Sequence, residues 1–185
     1  MPQDKLVSVP DGVSNEVAAC VTLKGITAEY LLHRAYPVKK GDKILYHAAA
    51  GGLGQILCPW ANAIGAEVIG TVGSKEKEEI AKNNGCHHVI NYTDKNFVEE
   101  VEKIVGKNGI DVVYDGVGLK TFEGSIEVLK IRGMMVAFGN ASGYVDTIDV
   151  KKHINAKGLF FTRPSIAHYT ICLLYTSPSP RDYPG

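Results

Sequence analysis

The chain lacks any surplus of charge. Its 20 Lys and Arg balance 20 Asp and Glu, for a formal net charge of zero, which argues against a nucleic-acid or membrane-surface partner drawn in by bulk charge. It also lacks an apolar run of about 18 residues, so no transmembrane helix is expected. The opening residues, MPQDKLVSVPDG, contain neither a basic stretch nor an apolar core of the kind a signal peptide needs. A cytoplasmic location is the expectation. Cysteine is scarce and scattered. Cys20, Cys58, Cys86 and Cys172 form no CxxC and show no metal-ligand spacing, so they read as small, semi-buried thiols in a reducing compartment. His87 and His88 have no partners in sequence that would complete a zinc site, and none is expected. No internal repeat with a period of 20–50 residues is visible.

One end of the chain breaks with the rest. ICLLYTSPSPRDYPG, residues 171–185, carries three prolines in its last eight residues and continues no upstream pattern. CLLYTSPSPRD resembles the in-frame translation of a transposase adapter used in sequencing libraries. Residues 171–185 are therefore expected to be a non-native tail and are left out of fold reasoning.

What is present is a rhythm. The 185 residues suit one domain, and 45% hydrophobic residues suffice for a core. Short runs rich in Val and Ile alternate with longer helical patterns, as in βαβ units. Strands are expected over 43–48, 67–72, 88–92, 112–116, 134–139 and 159–163. Helices are expected near 52–64, 75–84, 95–106, 121–130 and, shorter, 149–155. The fold class is α/β: a doubly wound, parallel, six-stranded Rossmann sheet with helices on both faces. Ahead of it, Ser14 can cap a helix with apolar residues at Val17, Ala18, Val21 and Leu23, and a second helix is expected from Ala28 to Arg34. Residues 1–30 read as a lead-in and 31–170 as the nucleotide-binding domain. Pro59 falls inside the helix that follows the glycines, where a proline costs about 3 kcal/mol unless the helix kinks; a bend near Leu57–Trp60 is expected.

The most informative stretch is HAAAGGLGQ, His47 to Gln55. Ala49-Ala50-Gly51-Gly52-Leu53-Gly54 fits G-x-G-x-x-G with alanine first, and it sits between a strand and a helix, which gives a weak pattern force. Small residues tighten the turn and turn backbone amides toward a diphosphate at the helix N-terminus, where the dipole also favours negative charge. Gly54 would let the helix pack closely on the sheet.

At the end of the second strand, an NAD-preferring site usually has an acid accepting from the ribose hydroxyls. Here GTVGSKEK offers Gly73 and Ser74 at the tip, followed by Lys75 and Lys77. A hydrogen bond to a charged partner is worth ~1.5–3 kcal/mol, or about 10- to 150-fold in favour of NADPH; solvated lysines at a helix start are the plainer alternative. YDGVG (114–118) and FGNASG (138–143) end the fourth and fifth strands and should line the same cleft, or be plain turns. Asp115, the only acid in them, reads as a capping or turn carboxylate more readily than as a functional one.

LKGITAEYLL, HAAAGGLG, GTVGS, CHHVINY, VVYDGVG, FGNASG and FTRPS occur in this order. In combination they resemble the NADPH:quinone oxidoreductases, the zinc-free, zeta-crystallin-like branch of the medium-chain dehydrogenase/reductase superfamily. The resemblance covers about residues 3–170. It implies NADPH as cofactor, a quinone as small-molecule substrate, and a cleft against a separate catalytic lobe. Carried over by motif, Gly73, Lys77 and Tyr92 look like the 2′-phosphate contacts, with a packing tyrosine at a strand edge as the lesser alternative for Tyr92. Thr27 is similar to the nicotinamide-side threonine, or is a helix residue bonding its own backbone. Gly51, Gly52, Leu53 and Gly54 match the diphosphate loop; Phe138, Gly139 and Asn140 match the cofactor wall. Three departures stand out: Gly116 where the family often has serine, Pro59 where it often has glutamine, and Leu53 where valine is common.

The family's catalytic lobe, with its quinone-side tyrosine and asparagine, is missing from this chain, so the chain reads as a fragment. No side chain here is expected to be a catalytic acid or base. Two rivals stay open: an NADPH-dependent alkene or enal reductase of the same superfamily, and a nucleotide-binding module without turnover. A homodimer through a sheet edge, with MMVAFG and LFFTR nearest, is a further expectation.

Overall fold

The computed structural model describes residues 8–169. Six parallel strands form one sheet: β1 (Lys43–His47), β2 (Glu67–Val72), β3 (His88–Asn91), β4 (Ile110–Asp115), β5 (Leu129–Ala137) and β6 (Phe160–Thr162). Their order is β3-β2-β1-β4-β5-β6, the doubly wound arrangement in which the chain reverses direction of growth between β1 and β4. All five strand pairings are parallel. The expected sheet is borne out.

Both faces are covered, as parallel sheets require. α1 (Asn15–Tyr30) and α2 (Gly54–Ile64) cover one face with α3 (Lys75–Asn83), over Ile44, Tyr46, Val68, Val112, Tyr114 and Val136. The opposite face packs Leu45, Ile69, Ile90, Val113 and Met135 against α4 (Phe97–Val105) and α5 (Phe122–Val128). Successive residues of β1 thus alternate between two cores, which is why its sequence is apolar without a polar face.

The lead-in is one continuous helical segment. Ser14 caps α1 by accepting from the Val17 amide at 3.3 Å, but the separate helix expected over 28–34 does not exist. α1 runs on through Tyr30 into a π-type turn over Leu31–Ala35, because Ala28, Leu31 and Leu32 are fully buried in the same core. Burying each leucine contributes about 1.5–3 kcal/mol. The Tyr114 hydroxyl, rising from β4, donates to the Leu31 carbonyl at 3.0 Å and pins this segment to the centre of the sheet.

Other boundaries move for local reasons. α2 runs unbroken through Pro59, and the expected bend does not interrupt it. Pro59 and Gln55 both face solvent, so the carbonyl that loses its amide partner can be met by water. α5 ends at Val128, two residues short of expectation, and β5 begins at once with a bulge between its pairings to Ile110 and Val112. Arg132 takes a left-handed conformation there, φ 60°. Lys157 holds the junction, donating to the carbonyls of Ile126, Glu127 and Leu129. The shorter helix near 149–155 is a π-type turn, Val150–Asn155. Among the described residues no helix is long and apolar enough to cross a membrane. The suspected tail, including Cys172, lies outside the described residues.

Candidate functional site

The site grows from the turn after β1. Ala48 leaves the strand in a left-handed conformation, φ 63°, and the Ala49 amide donates back to Thr71 of β2 at 3.0 Å. Gly51 closes the turn on Ala48 at 2.8 Å. Beyond it the amides of Gly52, Leu53 and Gly54 have no acceptor among the described residues. α2 begins without the usual devices for such a helix start: its cap residue, Leu53, offers no side-chain bond, and its first turn holds no acid. A side chain at Gly54 would place its Cβ 2.3 Å from the Ala49 carbonyl oxygen. Glycine there sets how closely α2 sits on the turn.

At the next strand end, Gly73 follows β2, and Ser74 stands at the N-terminal boundary of α3 without a side-chain capping bond. A Cβ on Gly73 would stand 2.6 Å from the Tyr92 hydroxyl, so the bare backbone after β2 and the tyrosine after β3 meet. Tyr92 is 45% exposed. Lys77 extends from the first turn of α3, and its side chain makes no ion pair among the described residues. Beside it stands Glu76, which the sequence reading passed over. The Ser74 hydroxyl and the helix-start amide, then Lys75 and Lys77, hold its carboxyl below the usual range. Gly73 and Tyr92 thus meet where β2 and β3 end, and Ser74 and Lys77 follow at the start of α3.

The ends of β4 and β5 are zipped together. Phe138 and Gly139 donate to the Asp115 carbonyl at 2.9 and 3.2 Å, and Ser142 donates to Val117 at 2.7 Å. Gly139 approaches so closely that a Cβ would lie 2.4 Å from the Gly116 carbonyl oxygen. The Phe138 ring stacks on Tyr46 and lies over Gly116, where a Cβ would meet it at 2.8 Å; the glycine in place of serine gives this ring its seat. Arg163 steadies the wall by donating to the Ala137 carbonyl at 2.7 Å. Thr27 and Phe138 line an open cavity of about 540 Å³ with Leu23, Tyr30 and Arg163. The Thr27 hydroxyl donates to Leu23 of its own helix at 2.7 Å, so toward the cavity it has only acceptor capacity.

A buried polar chain beneath the site went unread in the sequence. His47, fully buried at the end of β1, meets Thr71 through Nδ1 at 2.8 Å and Ser125 through Nε2 at 2.9 Å. Ser125 donates to Asp115 at 3.1 Å. Asp115 also accepts from the amides of Val117 and Gly118, at 2.8 and 2.9 Å, and from the Thr121 hydroxyl. It is a turn carboxylate, as its position suggested. Burial, against the opposing pull of Asp115, lowers the His47 pKa and favours the neutral ring. Strand alternation in KILYH could have revealed this, because it puts His47 on the same face as buried Leu45.

The motifs find relatives. A family described as zinc-binding dehydrogenase matches residues 52–182. Zinc itself does not fit the residues present: among those described no group of three His, Cys, Asp or Glu could hold a metal ion. His87 accepts from the Val68 amide, and His88 pairs with Glu67. The chain is 48% identical over 171 residues to a 2-haloacrylate reductase of Burkholderia sp., covering 91% of this chain and 51% of that protein. Identity to a Salmonella typhimurium quinone oxidoreductase is 48% over 167 residues, covering 90% and 51%. The solved structure of an Escherichia coli quinone oxidoreductase complexed with NADPH superposes with a TM-score of 0.86 at 41% identity, over 94% of this chain and 56% of that one. The chain spans about half the length of the curated relatives it matches. The resemblance read from the motifs is borne out, and with a family match over more than half its residues, the chain belongs to the zinc-binding dehydrogenase family.

Proposed function

We propose that the chain is the nucleotide-binding half of an NADPH-dependent quinone reductase. One observation carries this reading: the turn after β1 leaves the Gly52, Leu53 and Gly54 amides without acceptors, one strand away from a second cluster of donors without a carboxylate at the strand tip. A dinucleotide diphosphate fits the first, and a 2′-phosphate fits Gly73, Ser74, Tyr92 and Lys77. When bound, NADPH supplies the reducing equivalents. The protein's part is positional. The amides bind the diphosphate, the ammonium of Lys77 and the hydroxyl of Tyr92 hold the 2′-phosphate, and Thr27 and Phe138 border the cavity for the nicotinamide half. Gly139 and Asn140 line a neighbouring cavity of about 300 Å³ that shares Arg163 with it, and they are proposed as the continuation of the cofactor wall.

The proposed chemistry is zinc-independent, supported by a donor set already engaged in structural bonds. The proposal also includes the cytoplasmic location and the division at residue 30, although the helical segment crosses that position without a break. A second copy would meet β6. MMVAFG is not an edge, because β5 is paired on both sides; of the two segments only LFFTR is.

The rival substrate class, activated C=C bonds, draws on the names of relatives, a 2-haloacrylate reductase and the CurK enoyl reductase. Assaying the full-length protein with NADPH against a quinone and an enal separates the two. For the nucleotide, the test is equilibrium dialysis of NADPH and NADH against wild type and Lys77→Ala. The expected outcome is a loss of about 10-fold or more for NADPH and little change for NADH. Equal loss for both removes Lys77 from the 2′-phosphate.

A further inference from the structure

Lys24 lies on α1, one turn before Thr27, on an element outside the glycine loop. Its side chain crosses directly over that loop. A Cβ built on Gly52 would stand 2.8 Å from Lys24 Cε, 3.1 Å from Nζ and 3.3 Å from Cδ. Glycine at 52 is therefore what allows the lysine to lie against the backbone, and the lysine is what a larger residue at 52 would displace.

The electrostatics of this contact are one-sided. The start of α2 carries about half a positive charge on its unpaired amides, and neither a capping side chain nor an acid in the first turn offsets it. Onto this positive end the fold adds an ammonium whose protons have no acceptor and no carboxylate partner among the described residues. Two like charges converge, with nothing in the described protein between them to balance them. An anion does balance them, and one with a charge on each of two phosphates uses both: the amides hold one and the ammonium the other.

We propose that Lys24 is a diphosphate-binding residue, reaching from α1 across Gly52 to hold the part of the coenzyme that NADPH and NADH share. This rests on the nucleotide reading above and extends it. Lys24 sets how tightly either coenzyme is held, whereas Lys77 sets which one is preferred. It also gives α1 a role in binding, since the same helix carries Thr27 one turn on, beside the nicotinamide cavity.

The test measures dissociation constants by equilibrium dialysis for NADPH, NADH and ADP-ribose, at low and at moderate salt, on wild type, Lys24→Met and Lys24→Arg. Lys24 is exposed, so the methionine variant should fold and melt like wild type. It is expected to weaken all three ligands by one common factor of about 5- to 20-fold at low salt, shrinking as salt screens the charge. Lys24→Arg should restore most of the loss. Unchanged affinities in Lys24→Met, with wild type binding normally, overturn this inference and leave the nucleotide reading standing. Loss for NADPH alone also overturns it, because that assigns the charge to the 2′-phosphate. Binding of no coenzyme by folded wild type overturns the nucleotide reading, and this inference with it.

Discussion

The two turns that flank the reversal point of the sheet solve the same problem in opposite ways. Each leads from a parallel strand into a helix, and each presents backbone amides that need an anion or an acceptor. After β4, the Asp115 carboxylate turns back and takes the amides of Val117 and Gly118 together with two hydroxyls. After β1, no side chain does so, and the Gly52, Leu53 and Gly54 amides stay unspent. Asp115 shows what an anion does in such a turn when the protein supplies it. In the function proposed above, the first turn is the same device with that place left to the diphosphate. The difference separates a turn whose amides are met from one whose amides are not, without any appeal to the glycine pattern itself, since both are glycine-rich.

The sharpest way to break the comparison is to remove the internal anion. Asp115→Ala leaves the part-buried Val117 amide, the buried Gly118 amide and the Ser125 hydroxyl without their acceptor, while the Thr121 hydroxyl keeps only the Gly118 carbonyl. Each unsatisfied group costs about 1–3 kcal/mol before relaxation, so a total loss of about 3–5 kcal/mol is expected from urea unfolding. Adding phosphate should not rescue it, because the position is fully buried. A loss under about 1 kcal/mol would mean that the turn is held by its backbone bonds alone.

The link between the turns gives a second, smaller effect. His47 joins the β1 turn to Asp115 through Ser125, and burial lowers its pKa. The unfolded chain therefore takes up a proton, near the ordinary histidine value of about 6.5, that the folded protein refuses. The stability contributed by the neutral ring is present above that value. It declines as pH falls through about 6.5 toward the depressed folded value. Melting temperatures measured from pH 7.5 to 5 should fall in wild type and fall less steeply in His47→Gln, which at pH 7.5 starts lower by about 1–3 kcal/mol for the disturbed bonds. Parallel slopes for the two proteins would show that other groups carry the pH dependence.

The contrast also explains what could be read in advance. Strands β1, β2 and β4 are short Val- and Ile-rich runs bounded by Gly and Asp, and local pattern is enough to find them. The placement of the glycine loop, Gly73 and Tyr92 was legible because each follows a strand end, and the topology brings strand ends together. The α5–β5 junction was not, because it is set by Lys157 reaching from some 30 residues away and by the left-handed Arg132, neither of which leaves a local trace. Nor was the continuity of α1, whose hydrophobic pattern is weak until Ala28 and whose end is fixed by the distant Tyr114 hydroxyl. Lys24 escaped notice because charge on an exposed helix face carries no signal of what lies opposite. Glu76 leaves no such signal for a different reason: it lies at the helix start, three residues after Gly73, and not at the strand tip, where a ribose-binding acid is expected.

Glu76 gives the smallest expected effect and the finest test of the binding turn. Its carboxyl is held below the usual range, first by the Ser74 hydroxyl, a donor proposed above for the 2′-phosphate. Glu76→Gln removes one negative charge and leaves Ser74 free to turn toward the ligand. Because the group is fully exposed, solvent and salt screen most of the effect. NADPH affinity should rise by about 2- to 3-fold at low ionic strength, converge on wild type near 0.5 M salt, and leave NADH unchanged. The directions of Lys77→Ala and Glu76→Gln are then opposite, and both are confined to the phosphorylated coenzyme. An equal gain for NADH would instead mean that Glu76 acts through the general field at the sheet's C-terminal edge, and that Ser74 does not belong to the 2′-phosphate contacts.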